Sequence, residues 1–444
     1  MAIPVPSGVK HVLRTLRYRN YRLFFGGQGI SLVGTWMQSI AMSWLIYRIT
    51  NSVFLLGMVS FLSQIPTFLF SSVAGVLADR LNKRRVLVVT QTLAMVQALI
   101  LAVLVLTHTI AVWQIIVLGI FMGLVNAVDA PTRQAFVVEM IERREDLSNA
   151  IALNSALFNG ARLIGPSIAG VVIAAVGEGW CFLLNGLSYI AVIAALLAMR
   201  IGRRQVEARS RNVWHETREG FAYTMGHAPI RSVLLLLSVV SLVGMPYAVL
   251  MPVFARDILH GGPHTLGFLM GALGLGALAG AVYLASRKSV FRVERNIPIA
   301  AAIFGVGLVG VSLSRVLALS LGLMLVTGFG MMVQMASSNT LIQSVVDDDK
   351  RGRVMGLYAM SFMGVAPFGS LLAGVIAHRV GAPHTLVGGG ICCVVGAVLF
   401  ARQLPSFRET IRRAHVRHGL ISEADARAEA ERELVKPPNV WRSR

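Results

Sequence analysis

Val86–Leu106 reads VLVVTQTLAMVQALILAVLVL, a stretch without a charge that is entered directly from the basic triplet Lys83, Arg84 and Arg85. About 20 such residues coiled as an α-helix cross the hydrocarbon layer of a bilayer, and the coil pairs every backbone polar group that lipid cannot. Working outward from this run, eleven more stretches of the same kind are found, and the spans are placed near 23–48, 53–78, 86–106, 111–136, 149–176, 180–200, 232–256, 265–286, 296–314, 317–344, 354–378 and 384–404. Charged residues form only 14% of the 444 and apolar ones 55%, with a mean hydropathy of +0.68. That composition excludes a chain of soluble domains, because a single core does not grow to this size in water.

The net charge of +20 would suit a nucleic-acid binder if it were gathered on one soluble domain. Instead the basic residues fall between apolar spans and alternate from side to side. Lys10, Arg14, Arg17, Arg19 and Arg22 precede helix 1; Arg80, Lys83, Arg84 and Arg85 follow helix 2; the other even-to-odd connections and the tail are similarly basic. The opposite loops hold only Arg48, Arg256, Arg315 and Arg379. By the positive-inside rule both termini are expected in the cytoplasm of a bacterial inner membrane, which requires an even number of spans. The first apolar run is too long for a signal-peptide core, so it is expected to remain as helix 1. Cys181, Cys392 and Cys393 lie in apolar stretches and suggest no disulfide framework.

Weak matches recur in order at almost one spacing. Ser31–Gly34 (SLVG) returns at Ser241–Gly244, Leu77–Arg80 at Leu284–Arg287, Phe121 at Phe329, and Gly170–Gly177 at Gly374–Gly381. Two copies of a six-helix unit in the same orientation are therefore predicted, with a site between them. The expected organisation is a segment 1–22, a bundle 23–200, a connector 201–231 with a surface helix near Trp214–Tyr223, a bundle 232–404 and a charged tail 405–444.

Several polar residues stand where lipid would penalise them. In helix 5, GARLIGP (Gly160–Pro166) places Arg162 about 13 residues, roughly 20 Å, from the helix start, near mid-membrane. At 100° per residue Ser155, Asn159, Arg162 and Pro166 share one face. An intramembrane arginine marks function by default, the alternative being a structural tie to a carbonyl or to Asp129. Gly165 and Pro166 suit a packing and bending device. Asp129 in helix 4 shares a face with Asn126 and Arg133; it can titrate in a proton-driven cycle or simply pair with Arg133 four residues on. Helix 1 carries Gln28, Ser31, Thr35 and Ser39 on one stripe flanked by Trp36 and Gln38, and helix 10 adds Met331, Gln334, Met335 and Ser338. Such stripes must face protein or a water-filled cavity, so Gln28, Ser31, Thr35, Trp36, Gln38, Asn126, Ser155, Asn159, Gln334 and Ser338 are the expected lining. Singly, each could instead serve hydrogen bonding between helices. No metal or cofactor is expected: His260 and His264 flank a Gly-Gly-Pro turn, and Gly388–Gly390 lacks a phosphate-loop lysine. No nucleophile, base and oxyanion constellation can be assembled, which speaks against an enzyme.

The loop Gly75–Arg85 (GVLADRLNKRR) strongly resembles the signature loop of the major facilitator superfamily. Physically, Gly75 permits close helix approach and an acid at Asp79 can sit against the positive end of a neighbouring helix, as a latch. The resemblance implies that this helix is the start of helix 11, near Arg351–Val354, with Gly75, Asp79, Arg80, Lys83 and Arg84 as the gating motif. Asn82 stands where the family usually has Gly and is expected to keep the turn through a left-handed backbone. GARLIGP is similar to the Gly-Pro motif of exporters in that superfamily. Across residues 18–404 the chain resembles the transmembrane secretion effector branch, related to enterobactin exporters and macrolide efflux pumps. The segments that carry this are Asn20–Arg22, Gly27–Ser31 (GQGIS), Asn126–Phe136 (NAVDAPTRQAF), Asn149–Ser155 (NAIALNS) and Arg351–Val354 (RGRV).

The fold expected is an all-α membrane protein of twelve helices in two six-helix repeats. The function implied is secondary active export of small, drug- or siderophore-like molecules by alternating access, with proton antiport, the protein acting as a monomer without nucleic acid. An importer or lipid flippase on the same scaffold, or a sensor acting through the basic tail, are the competing readings.

Overall fold

A computed structural model of the chain describes residues 13–141, 143–200, 213–286, 293–347 and 350–417. The side chains of Asp79 and Arg80 fall outside that description, as do the connector 201–212 and the end of the tail with Pro437 and Pro438. Among the described residues, twelve helices long and apolar enough to cross a membrane follow one another: α1 Arg19–Thr50, α2 Val53–Arg80, α3 Lys83–Leu106, α4 Val112–Glu139, α5 Leu147–Val176, α6 Glu178–Ala198, α7 Ala228–Ile258, α8 Pro263–Ala285, α9 Val293–Leu313, α10 Leu317–Val345, α11 Arg351–Val380 and α12 Ala382–Arg417. A connector helix, Val213–Gly226, precedes α7. Large apolar side chains such as Val73, Trp113, Val282 and Met363 point outward, as a lipid-facing surface requires.

The two copies read from the sequence pack alike. A Cβ built on Gly34 in α1 would lie 2.5 Å from the Asn185 side chain of α6; one on Gly244 in α7 would lie 2.5 Å from Phe304 and 2.9 Å from Cys393 of α12. Asn185 and Cys393 are themselves repeat-related, so the SLVG match records the same close approach of first to last helix in each half. The match Gly170–Gly177 to Gly374–Gly381 also has a local cause. Gly177 (φ 91°) and Gly381 (φ 87°) turn α5 into α6 and α11 into α12 through a left-handed backbone that a Cβ would strain.

Two spans are not uniform. α7 widens into π turns at Val240–Gly244 and Phe254–Ile258, and α11 at Met360–Gly364, just ahead of Pro246 and Pro367 in the first and last cases. A proline supplies no N–H and crowds the preceding turn, leaving carbonyls without helix partners. The two widened turns meet: the Ser241 hydroxyl of α7 donates to the Phe362 carbonyl of α11. Ser241→Ala leaves that half-buried carbonyl with one donor fewer and is expected to lower stability by about 1 kcal/mol. Thermal unfolding in detergent reads this out, and an unchanged midpoint would show that the tie contributes nothing.

An even number of spans puts both termini at one end of the bundle. At the far end the halves touch backbone to backbone. Gly57 of α2 meets Gly374 of α11, where an added Cβ would fall 2.9 Å from the Gly374 Cα, and Gly170 of α5 meets Gly267 of α8 at the same 2.9 Å. Tyr47 of α1 hydrogen-bonds Asp257 of α7, and Arg256 donates to Asn51 at 2.7 Å. Phe68 and Phe61 of α2 stack edgewise on Phe368 of α11 deeper in the same seam.

Candidate functional site

At the end bearing the termini, the ion pairs described stay within one half. The buried Lys83 binds Glu139 at 2.8 Å, joining α3 to α4. Arg84 reaches the last turn of α6, donating to the carbonyls of Leu196 and Leu197 at 2.6 Å each, where a cation complements the negative helix end. Gly75 rests against Pro131 of α4. Asn82 departs from expectation: it is extended (φ −70°), and its side chain caps α3 by accepting from the Arg85 amide at 3.1 Å. Capping, which needs only a short side-chain oxygen, makes a left-handed residue unnecessary there.

A pair of ties at this end escaped the sequence. Tyr18 donates to Asp146 at 2.6 Å, ahead of α1, and Tyr223 donates to Asp347 at 3.2 Å, ahead of α7. The two pairs occupy repeat-related positions, so the segment entering each half is bound to the loop before its fifth helix. Asp146 also holds Arg14 and Arg17 at 3.1 and 2.9 Å. Burial pushes its carboxyl up, but the Tyr18 bond and the two guanidinium groups outweigh that and hold it below the usual carboxylate range. Glu219 of the connector helix likewise binds Lys350, and Arg353 at 2.7 Å, at the start of α11; those cations hold its carboxyl down. A sequence signal existed in the repeat offset between Tyr18 and Tyr223, but alone it is too weak to notice.

Midway through the first half lies a cavity of about 250 Å³. It is lined by Gln28, Ser31, Thr35, Trp36 and Ser39 of α1, Gln91 of α3, Asn126, Asp129 and Arg133 of α4, Phe158 of α5 and Tyr189 of α6, among others. The helix 1 stripe therefore does border open space, because its residues recur on one face while the opposite face packs on α6. Asp129 is almost fully buried and accepts from Thr90 at 2.7 Å, Gln91 at 2.8 Å and Arg133 at 3.2 Å. Its nearest cation is thus Arg133, and the expected alternative pairing with Arg162 is not formed.

Other predicted lining residues sit elsewhere. Gln38 turns away from the cavity into a buried network, donating to Gln97 at 3.1 Å and accepting from Asn185 at 2.7 Å, because it lies off the stripe on the side facing α3 and α6. Asn159 donates to its own helix at the Ser155 carbonyl (2.8 Å), and neither residue borders this cavity. Gln334 and Ser338 are completely buried in α10, 3.5 Å from each other.

Arg162 instead joins the halves. Its guanidinium donates to the Tyr247 hydroxyl of α7 at 3.2 Å, approaches the Met331 sulfur of α10 at 3.6 Å and lies 5.5 Å from the centre of the Trp36 ring. Trp36 in turn packs edgewise on Phe158. Gly165 allows α5 to press on α1, a Cβ there falling 2.5 Å from that of Trp36, while the Pro166 carbonyl is 2.8 Å from the position a Cβ on Gly267 of α8 would take. The Gly-Pro motif thus wedges α5 between its own half and the other.

Two six-helix halves closed on each other at one end, with a polar and aromatic cavity beside the seam, define a membrane transporter of the major facilitator type. The family model described as transmembrane secretion effector matches residues 12–429, and the chain belongs to that family. Among its relatives, the staphyloferrin A transporter of Staphylococcus aureus is 25% identical over 381 residues, covering 85% of this chain and 95% of that protein. The multidrug efflux pump Tap of Mycolicibacterium fortuitum is 26% identical over 393 residues, covering 86% and 93%. A bacterial homologue of the human lysosomal transporter Spinster, solved in an inward-facing, unoccupied conformation, has the same fold with a TM-score of 0.66 at 11% identity, covering 91% of this chain and 99% of that one.

Proposed function

We propose that this chain exports small amphipathic organic molecules, drug- or siderophore-like, across a bacterial inner membrane by proton-driven alternating access. The observation that carries the reading is the cavity, polar along α1, α3 and α4 and aromatic at Trp36, Phe158 and Tyr189, in a half whose far end meets the other half backbone to backbone. A solute with both apolar and hydrogen-bonding parts suits such a lining. Similarity to a staphyloferrin A transporter and to a multidrug efflux pump supports the same class. With both termini cytoplasmic, the closed far end would face outward, the arrangement that loading from the cytoplasm requires. Rocking of the halves would then part the glycine seams and close the basic end.

In that second state Asp79 serves as the latch against the start of α11, where Arg351–Val354 lies. Asp79→Asn is expected to slow efflux by about tenfold at equal abundance, since one charge-to-helix-end contact contributes about 1 kcal/mol or somewhat more. Unaltered efflux would remove the latch.

The function itself is tested in cells stripped of their own pumps. Expression should lower accumulation of part of a diverse compound panel, and everted vesicles should accumulate those compounds when energised and lose them with an uncoupler. Uptake into intact cells would make the protein an importer, and indifference to the uncoupler would end the proton reading.

A further inference from the structure

We infer that Arg162 is an oxyanion site, so that the solutes recognised by this pathway carry a carboxylate or comparable anionic group; the inference rests on reading the chain as a transporter and names the chemistry of its substrate. Arg162 lies in the middle of α5, within the membrane span, and its three neighbours, the Tyr247 hydroxyl, the Met331 sulfur and the Trp36 ring, are all neutral. Its Nε is buried and has no hydrogen-bond partner among the described residues. Among the described residues, the buried acids within the spans of the first half are committed to other groups. Asp129 is held by Arg133, Thr90 and Gln91, and Glu178 by Arg48 at 2.6 Å.

A guanidinium offers five donors in a planar fork that matches the two oxygens of a carboxylate, and inside a membrane it is ordinarily neutralised. Here the fork keeps a free edge. On α10, Gln334 follows Met331 by three positions on the same helical face, and its Oε1 is also buried without a partner among the described residues. Trp36 gives the route: it lines the cavity and underlies the guanidinium, so an aromatic or amphipathic acid in the cavity can slide its charged end along that ring to Arg162.

The location also links binding to movement. The bond from Arg162 to Tyr247 crosses from the first half to the second, next to the seam made by α5 and α8. An oxyanion that takes the guanidinium competes with Tyr247 for it and loosens one polar tie between the halves.

The test uses the purified full-length protein in discs of phosphatidylcholine, with phthalate as the dianionic probe and phthalamide as its neutral counterpart, bound at equilibrium and followed by calorimetry. Phthalate should bind at least about tenfold more tightly than phthalamide; R162Q should lose about tenfold or more in phthalate affinity, and R162K should fall between. Should R162Q fail to fold, Y247F decides, because removing the competing hydroxyl frees the guanidinium and should tighten phthalate binding by several fold. Equal binding of the two probes, an R162Q affinity like that of the native protein, or a Y247F affinity that does not rise would each overturn the site. Repeating the titration with phosphatidylglycerol in the discs separates solute from lipid. Displacement of phthalate by that lipid in the native protein but not in R162Q would assign the site to a lipid phosphate and overturn the solute reading. Binding is measured without transport, so Arg162-dependent binding in a protein that moves nothing defeats the exporter and keeps the site, whereas ethidium export without phthalate binding does the reverse.

Discussion

Gly57→Leu should abolish most transport while leaving the protein in the membrane. A side chain at this position has nowhere to go when the far end is shut: even a Cβ would stand 2.5 Å from the Ser370 carbonyl oxygen and 2.9 Å from the Gly374 Cα. The obstacles are backbone atoms, which cannot swing aside as the tip of a flexible side chain can. Overpacking of this kind costs about 1–3 kcal/mol, and here the cost falls on the closed state alone, a bias of about 5- to 150-fold against it. Leucine remains compatible with a lipid-spanning helix, so insertion and abundance should be unaffected. The measurement is the efflux rate at equal abundance, paired with thiol labelling from the far side of a single cysteine, in a background without the native three, placed deeper along the same face of α2 at Gln64, between Phe61 and Phe68. Efflux should fall by more than about tenfold and labelling should rise. Normal efflux would mean that this seam does not close during the cycle.

Asp129→Asn should be nearly as damaging, for an electrostatic reason. The carboxylate accepts from three donors in an almost fully buried position, and Arg133 has its only described ion pair there. Leaving a charge unpaired costs about 3–5 kcal/mol when the site is dry; partial exposure of the Arg133 side chain, 28%, places this pair at the lower end or below. Asparagine can still accept from Thr90 or Gln91, so the fold should persist while the cavity wall loses its negative charge. Efflux is expected to fall by about tenfold or more, and what remains should no longer respond to a pH gradient imposed on proteoliposomes. A variant that is slow yet still follows the gradient would confine Asp129 to holding Arg133 and move the coupling proton elsewhere.

Much of the architecture was legible in the linear sequence because membrane insertion is decided by local properties. A run of 20 apolar residues must cross as a helix whatever surrounds it, and basic loops are sorted by side; hence Val86–Leu106 alone announces a span. Small refinements came from backbone chemistry. The expected span 232–256 extends to Ala228–Ile258, starting with Pro229 in its first turn and ending in the π turn Phe254–Ile258, and 384–404 lengthens to Ala382–Arg417 as a polar extension of α12.

The site was legible only in part. Helical periodicity gave the angular position of each polar residue along its own helix; in the structure Gln28, Ser31, Thr35, Trp36 and Asn126 border one space together with Asp129. It could not say which neighbour each face meets. Gln38 looked like part of the stripe but belongs with Gln97 and Asn185, and Arg162 looked available to Asp129 but reaches across to Tyr247. The ties of Tyr18 to Asp146 and Tyr223 to Asp347 join residues more than a hundred positions apart, with no periodicity to announce them.

By itself, then, the sequence determined that the chain crosses a bilayer twelve times as two like-oriented copies, because the cost of exposing a backbone to lipid is settled within each 20-residue window. The tertiary structure alone decided that the halves meet at Gly57–Gly374 and Gly170–Gly267, and that Arg162 spans the gap between them. Contacts between helices depend on which small side chains face each other across a seam, and that is a property of pairs of segments that no single window of sequence contains.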